Sequence, residues 1–559
     1  MLGSRGRESQ STEVRRCTST RTVLDAAMAR SALMRWLQRR ATKVRASSVE
    51  PPSRAAIAAR RKRIEGRRAF IARMAALGTL PCMPIGTPAA AAHRAAQRVI
   101  IVGAGLAGLA AAYDLRKAGV AASVFEAAPR LGGRCLTDRG AFADGQIAER
   151  GGELVDTAHD VLIDLAIELG LPLDDLAAAE REGTHAAFHF DGRPYTEAEV
   201  TADLAMLWPQ LARDARALGE TLPTFHRYTS AQLELDRMSC AGWIDTRVAG
   251  GRRSRFGQLL ANAYIEELGG DPQDMSAISV IALLAGSPQD RFSPYEESDQ
   301  RYHVRGGNDQ LVQRMASAIA GDVKTSSRLV AIARMRDDRV RLTFERDQAT
   351  IDEIAHRVVL ALPFTLLRDV DLSRAGFTRR KLSCIRELGM GWNTKLQLQF
   401  HSRAWLDLQA NGETRGSGVY QVSWDVTRAQ PGQSGILNFF SGGSDAKRAG
   451  EGTPEERARE ALADLERVVP GIARHWNGRV IRNAWDRYPW TRGSYSLLKP
   501  GQYTSLHGVE DTIEGRVHFA GEQSSLSSSG FMNGAIETGQ RAAREVVAAI
   551  GLRPLKRAA

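Results

Sequence analysis

The residues best placed to do chemistry begin with a turn of three glycines, Gly103-Ala104-Gly105-Leu106-Ala107-Gly108. It follows Arg98-Val99-Ile100-Ile101-Val102, a short apolar run of the kind that forms a parallel strand covered on both faces. A helix-like stretch ends near Gly119, and a second strand, Ala122-Ser123-Val124-Phe125, ends at Glu126. The first two glycines let the backbone turn tightly and approach a pyrophosphate, and Gly108 lets the helix pack close to the strand. The helix N-terminus offers free N–H groups and a positive partial charge to the phosphates. Glu126, 18 residues after Gly108, is placed to accept hydrogen bonds from adenosine ribose hydroxyls. This is a dinucleotide-binding pattern that does not separate NAD from FAD. A glycine-rich turn in an empty α/β domain is the competing expectation.

A second acid, Glu522, follows the apolar strand Val517-His518-Phe519-Ala520-Gly521, where it suits hydroxyls such as those of a ribityl chain or caps the helix that follows. The turn Gly530–Ala535 starts a helix whose free N–H groups can stabilise negative charge on a reduced ring system.

Four ordered segments carry a family resemblance: Glu126-Ala127-Ala128-Pro129-Arg130-Leu131-Gly132-Gly133-Arg134; Tyr302-His303-Val304-Arg305-Gly306-Gly307-Asn308; Ala361-Leu362-Pro363; and Val517–Glu522 with Ser529–Ala535. Together they resemble the flavin-containing amine oxidase family, which includes monoamine, polyamine and L-amino-acid oxidases. The resemblance runs from about Arg98 to Ala548. It implies FAD held by Gly103, Gly105, Gly108, Glu126, Arg130, Gly132, Gly133, Arg134, Leu329, Gly521, Glu522 and Met532. It also implies that Lys395 reaches the flavin N5 through a water, and that Tyr495 and Phe531 form an aromatic cage around the amine. Read without the resemblance, Lys395 belongs to a solvated strand face and the two aromatics to the core.

Ser494 stands where covalent monoamine oxidases carry a flavinylated cysteine, so noncovalent FAD is expected. Snake-type L-amino-acid oxidases place a carboxylate-clamping arginine after the glycine pair; this chain has Leu154 there, and Arg150 falls before Gly151-Gly152. Asp156 matches an acid of polyamine oxidases able to bind a distal ammonium, with a surface salt bridge as the alternative. Trp490, beside the cage segment, is a further substrate candidate.

These groups need elements to position them. The expected fold class is α/β: a Rossmann-like FAD-binding domain built from discontinuous segments, plus an α+β substrate-binding domain. FAD-binding segments are expected over 98–160, 291–370 and 481–550, with a mainly helical substrate segment over 161–290 and a sheet and helix over 371–480. Lys395-Leu396-Gln397-Leu398-Gln399-Phe400 alternates as a half-buried strand, residues 455–468 form a charged amphipathic helix, and the closing helix runs from about Met532 to Ile550.

The chain has 559 residues and 76 Lys+Arg against 64 Asp+Glu. Residues 1–98 hold 21 of the basic and 5 of the acidic residues, so the body is slightly acidic. A broad nucleic-acid footprint is excluded by that distribution. No apolar run approaches the roughly 20 residues that span a bilayer. A disordered basic arm is expected over 1–66, a twin-arginine export signal over 67–97 around Arg67-Arg68, and a tail over 551–559. A periplasmic or secreted protein follows, with a mitochondrial transit peptide or a solvated tail as alternatives. Cys135, Cys240 and Cys384 have neither metal nor redox spacing and read as buried small hydrophobes.

The expected reaction is oxidative deamination of an amine: hydride transfer to flavin N5, imine hydrolysis, and reduction of O2 to H2O2. An L-amino-acid oxidase on the same fold is the first alternative. A nucleotide-binding protein without turnover is the second, and oligomeric state is left open.

Overall fold

Val99–Val102 carries no polar side chain and is buried along its whole length, so both of its faces need cover. In the computed structural model, which describes residues 97–285, 299–319 and 321–552, it is the middle strand of a five-stranded parallel sheet. The order is Val517–Phe519, Arg357–Leu360, Val99–Val102, Ala122–Phe125, Val323–Lys324. The basic arm, the twin-arginine segment and the end of the tail lie outside the described residues.

One face of this sheet is covered by Leu106–Lys117 and the closing helix Met532–Ala549, which share a core with Ala107, Ala110, Ile536 and Ala543. Small residues bring the two helices close: a side chain at Gly539 would meet the Ala107 carbonyl at 2.1 Å. On the other face, Ile100, Val102, Val358 and Phe519 pack against a four-stranded sheet ordered Ala349–Ala355, Val340–Arg346, Arg328–Arg334, Asp371–Arg374.

The second large sheet has seven strands, ordered Trp476–Ala484, Asn393–Phe400, Gly435–Gly442, Val422–Asp425, Ala410–Gly416, His185–Phe190, Arg193–Pro194. Helices between Glu197 and Ala285 bury a core around Trp243, Tyr264 and Ile278. Pro454–Val468 packs over Leu398, Phe400 and Phe439. Among the described residues no helix is long and apolar enough to cross a membrane.

Over its described residues the segment 161–290 is mainly helical and also contributes the hairpin His185–Phe190/Arg193–Pro194. Its signal was Asp191-Gly192, both at positive φ (53° and 70°), the pair that a two-residue hairpin turn with the right twist requires. The strand Asn393–Phe400 is not half-buried: all eight residues are buried. Its polar face meets protein instead of water, with Gln397 Nε2 donating to the Glu149 carbonyl (3.2 Å) and Gln399 Nε2 to the Ala143 carbonyl (3.1 Å). The three body cysteines are buried thiols, as expected.

Candidate active site

The glycine turn divides its labour. At Gly103 (φ +101°) a side chain would sit 2.6 Å from the Ala361 carbonyl, and at Gly108 it would sit 1.9 Å from the Gly103 carbonyl. Those two glycines serve close packing. At Gly105 a side chain would meet nothing within 4 Å, although that glycine starts a buried helix and no side chain caps it. An uncapped helix N-terminus facing open space is what a pyrophosphate needs. By contrast, Glu197–Leu218 and Pro454–Val468 are both closed by Thr/Glu capping boxes. The closing helix begins at Met532 with Phe531 as its N-cap, again without a side-chain cap.

Glu126 ties the second strand to this turn, its carboxylate accepting the Ala104 N–H (2.7 Å) and the Ala128 N–H (2.8 Å). Burial pushes its pKa above the usual carboxylate value despite these backbone donors. Gly132 N–H donates to the Ala104 carbonyl, placing Gly132-Gly133 beside Gly105. Arg130 donates to the Gly133 carbonyl (2.8 Å) and lies over the Tyr488 ring. Leu329 is buried in the cluster that contains Phe125.

Arg134 joins distant segments. Its Nη1 donates to the Ser494 carbonyl (2.6 Å) and to Glu522 Oε1 (3.0 Å). Glu522 Oε2 in turn accepts Ser496 Oγ–H (2.8 Å) and Gly530 N–H (2.9 Å). Gly521 (φ +130°) starts this turn.

Lys395, Tyr495, Phe531 and Met532 line one cavity of about 930 Å³. Its floor is a single register row of the large sheet: Lys395 opposite Phe440, Phe440 opposite Val422, Val422 opposite Arg415, Arg415 beside Phe188. Lys395 is only 6 % exposed, which rules out a solvated strand face. Its Nζ donates to Glu153 Oε2 (2.5 Å) and to the Glu149 carbonyl (3.2 Å). The Tyr495 hydroxyl donates to the Glu266 carbonyl (2.8 Å), and Phe531 packs edge-on against His159 at 4.9 Å. At the far end of the row, Arg415 is fully buried and paired with Glu266 and Glu413.

Asp156 lines the cavity but is 1 % exposed, so a surface salt bridge is excluded. Its Oδ1 accepts the Gln300 N–H (2.6 Å), and its own N–H donates to His159 Nδ1 (3.0 Å). Arg150 is committed to Asp138 (2.5 Å) and, unlike Leu154, does not line the cavity. Trp490 does not line it either. The chain folds back there, Gly493 N–H donating to the Trp485 carbonyl (3.0 Å), and Trp485, which does not line the cavity either, is the buried tryptophan of the segment, its Nε1 donating to the Arg150 carbonyl (3.1 Å).

Sequence reasoning also missed Glu153, Trp424, Glu266 and Arg415, all of which line the cavity. An acid directly after the glycine pair was a visible signal for Glu153; the others come from strands and a helix whose register only the fold supplies. Among the described lining residues, eight acidic side chains face three basic ones, a surplus of five acidic groups.

The flavin amine oxidoreductase family model matches residues 106–547. The chain belongs to the flavin-containing amine oxidoreductase family, and its cofactor is accordingly FAD. It is 26 % identical over 487 residues to a flavin-dependent L-tryptophan oxidase of Lentzea aerocolonigenes, covering 82 % of this chain and 99 % of the relative. To flavin-containing amine oxidase A of Sus scrofa it is 24 % identical, with 81 % and 85 % covered. Among solved structures, putrescine oxidase bound to putrescine matches with a TM-score of 0.68 and 26 % identity, over 81 % of this chain and 99 % of that one.

Two outcomes are expected. In urea unfolding of the flavin-stripped proteins, Gly108→Ala should cost about 3 kcal/mol through backbone overlap, whereas Gly105→Ala should leave the midpoint unchanged and should instead loosen FAD, read as flavin retained on gel filtration. Loss of stability in Gly105→Ala would contradict this division. The second concerns His303, which donates from Nε2 to Glu149 Oε1 (2.9 Å). Burial opposes its charge, but the hydrogen bond and the carboxylate outweigh burial and raise its pKa. That stabilisation is fully present below the unfolded-state value of about 6.5 and is lost as pH rises through the folded-state value. His303→Gln should therefore cost about 1–3 kcal/mol near pH 5.5 and less near pH 9. An equal cost at both pH values would show that the charge plays no part.

Proposed function

We propose that this flavoprotein oxidises cationic amines, binding them with the reacting C–N bond between Tyr495 and Phe531. The observation that carries the reading is the carboxylate surplus of the cavity containing both aromatics and Lys395. A negative, partly enclosed site concentrates cations and disfavours a substrate carboxylate. Asp156 is the interior acid best matched to a distal ammonium, and Arg150, spent on Asp138, offers no carboxylate clamp.

When bound, FAD supplies the hydride acceptor. The protein's part is orientation and exclusion of water. The aromatic faces flank the reacting nitrogen, which must release its proton to water and become neutral before its α-carbon can give up hydride, and Lys395 lies at the cavity floor beside Glu153. The imine product is hydrolysed to a carbonyl compound and ammonia, with dioxygen as the terminal acceptor and H2O2 as its product.

A second reading, oxidation of L-amino acids, is favoured by Arg415, whose Nη2 has no hydrogen-bond partner among the described residues. The match to an L-tryptophan oxidase points the same way. A peroxide-coupled screen of monoamines, diamines and L-amino acids separates the two. Diamines should exceed L-amino acids in kcat/KM by at least about tenfold at low salt, with the gap narrowing as salt screens the cavity. Faster turnover of L-amino acids would replace the first reading by the second.

Noncovalent FAD is also proposed. Ser494 has no thiol, and its hydroxyl is engaged with Asn393 Oδ1 at 2.6 Å. Acid precipitation should leave all the yellow colour in the supernatant, and colour in the pellet would contradict the assignment.

A further inference from the structure

A lysine at the floor of an amine site creates an electrostatic conflict. An alkylamine reaches the cavity as an ammonium ion, and two like charges in a partly desolvated space repel strongly. Glu153 lies where it can remove that conflict. Its Oε2 is 2.5 Å from Lys395 Nζ, its Oε1 accepts Trp424 Nε1–H at 2.9 Å, and all three residues line the cavity. The Glu153 and Lys395 side chains are each 7 % exposed, so water screens the pair little.

The carboxylate is also held from behind. Asn308 Nδ2 donates to the carbonyls of Glu153 (2.7 Å) and Gly152 (3.1 Å), and Asn308 N–H donates to Glu149 Oε1 (2.8 Å). Trp424, which fixes the other oxygen, is packed against Phe440 on the neighbouring strand at 5.5 Å. Both carboxylate oxygens thus have fixed donors, and the backbone that carries them is fixed as well.

We propose that Glu153 is a positioning residue that aims and neutralises the Lys395 ammonium, so that a cationic substrate can share the cavity floor with it. This rests on the reading of Lys395 as the flavin-facing lysine. It makes Glu153 a determinant of substrate charge: with it the floor is neutral toward ammonium ions, and without it the floor is an anion site.

The test compares holoenzymes carrying Glu153→Gln, Lys395→Met and both substitutions, using two binding readouts that need no turnover. One is sulfite, an anion that adds to oxidised flavin and bleaches its absorbance. The other is tert-butylammonium, a cation with no hydrogen on its α-carbon, followed by perturbation of the flavin spectrum. Glu153→Gln should bind sulfite about tenfold more tightly and tert-butylammonium about tenfold more weakly. Lys395→Met should weaken sulfite, and the double variant should lose the gain in sulfite affinity that Glu153→Gln alone produces.

Unchanged affinities in Glu153→Gln, with sulfite weakened in Lys395→Met, would overturn the proposal alone. Unchanged sulfite affinity in Lys395→Met would instead overturn the reading of that lysine. Should Glu153→Gln fail to hold flavin, retention by the double variant supports the proposal, because only the single variant strands a buried cation. Equal failure of both would overturn it.

Discussion

The Glu522 carboxylate is the constraint on which the site depends. It accepts from Arg134 of the second glycine segment, from Ser496 beyond the cage tyrosine and from Gly530 before the closing helix. Arg134 is 388 positions from Glu522 in the chain, whereas Ser496 and Gly530 are 26 and 8 positions from it, and each brings a different wall of the candidate site. A buried carboxylate with several donors is stable only when all of them are in place. The geometry of the Arg134 turn, the Tyr495 wall and the Phe531 wall is therefore coupled through one side chain. Of the two physical readings of Glu522, hydroxyl acceptor or helix cap, the structure adds a third, a junction between segments.

A second constraint is the buried polar face of Asn393–Phe400. Placing Lys395, Gln397 and Gln399 against protein requires partners for every donor, and residues 143–153 supply them. The motif Tyr302–Asn308 acquires a physical role here. His303 and the Asn308 N–H hold the Glu149 carboxylate while the Asn308 side chain holds the carbonyls of Gly152 and Glu153. A distant loop thereby sets the distance from which Glu153 meets Lys395.

What was legible in the sequence was what is local. The glycine turn, its strand and helix and Glu126 lie within a span whose spacing follows from backbone geometry, and they fold as read. The helices near 455–468 and 532–550 were visible from their apolar period. The pairing of Glu153 with Lys395 was not visible, since it joins residues 242 positions apart through a register that only the folded sheet defines. Alternation at 395–400 likewise separated two faces correctly but could not say that water would be absent from both. Trp490 was chosen for its chemistry and neighbourhood, but the backbone turn buries Trp485 instead.

The charge of the cavity follows from how its floor is built. Lys395 and Arg415 lie in one register row, separated by two strands, so three strand spacings of about 4.8 Å put them roughly 14 Å apart. Each is matched: Lys395 by Glu153, Arg415 by Glu266 and Glu413. The floor's cations therefore contribute little outward field, and the acids on the walls set the sign. Glu266 does more than balance charge, because its carbonyl accepts the Tyr495 hydroxyl while its carboxylate holds Arg415. The wall that would face the reacting carbon and the distant end of the cavity are thus joined through one helical residue. A substrate long enough to touch the Arg415 end would load the same residue that positions Tyr495, giving binding energy far from the reacting bond a structural route to its orientation.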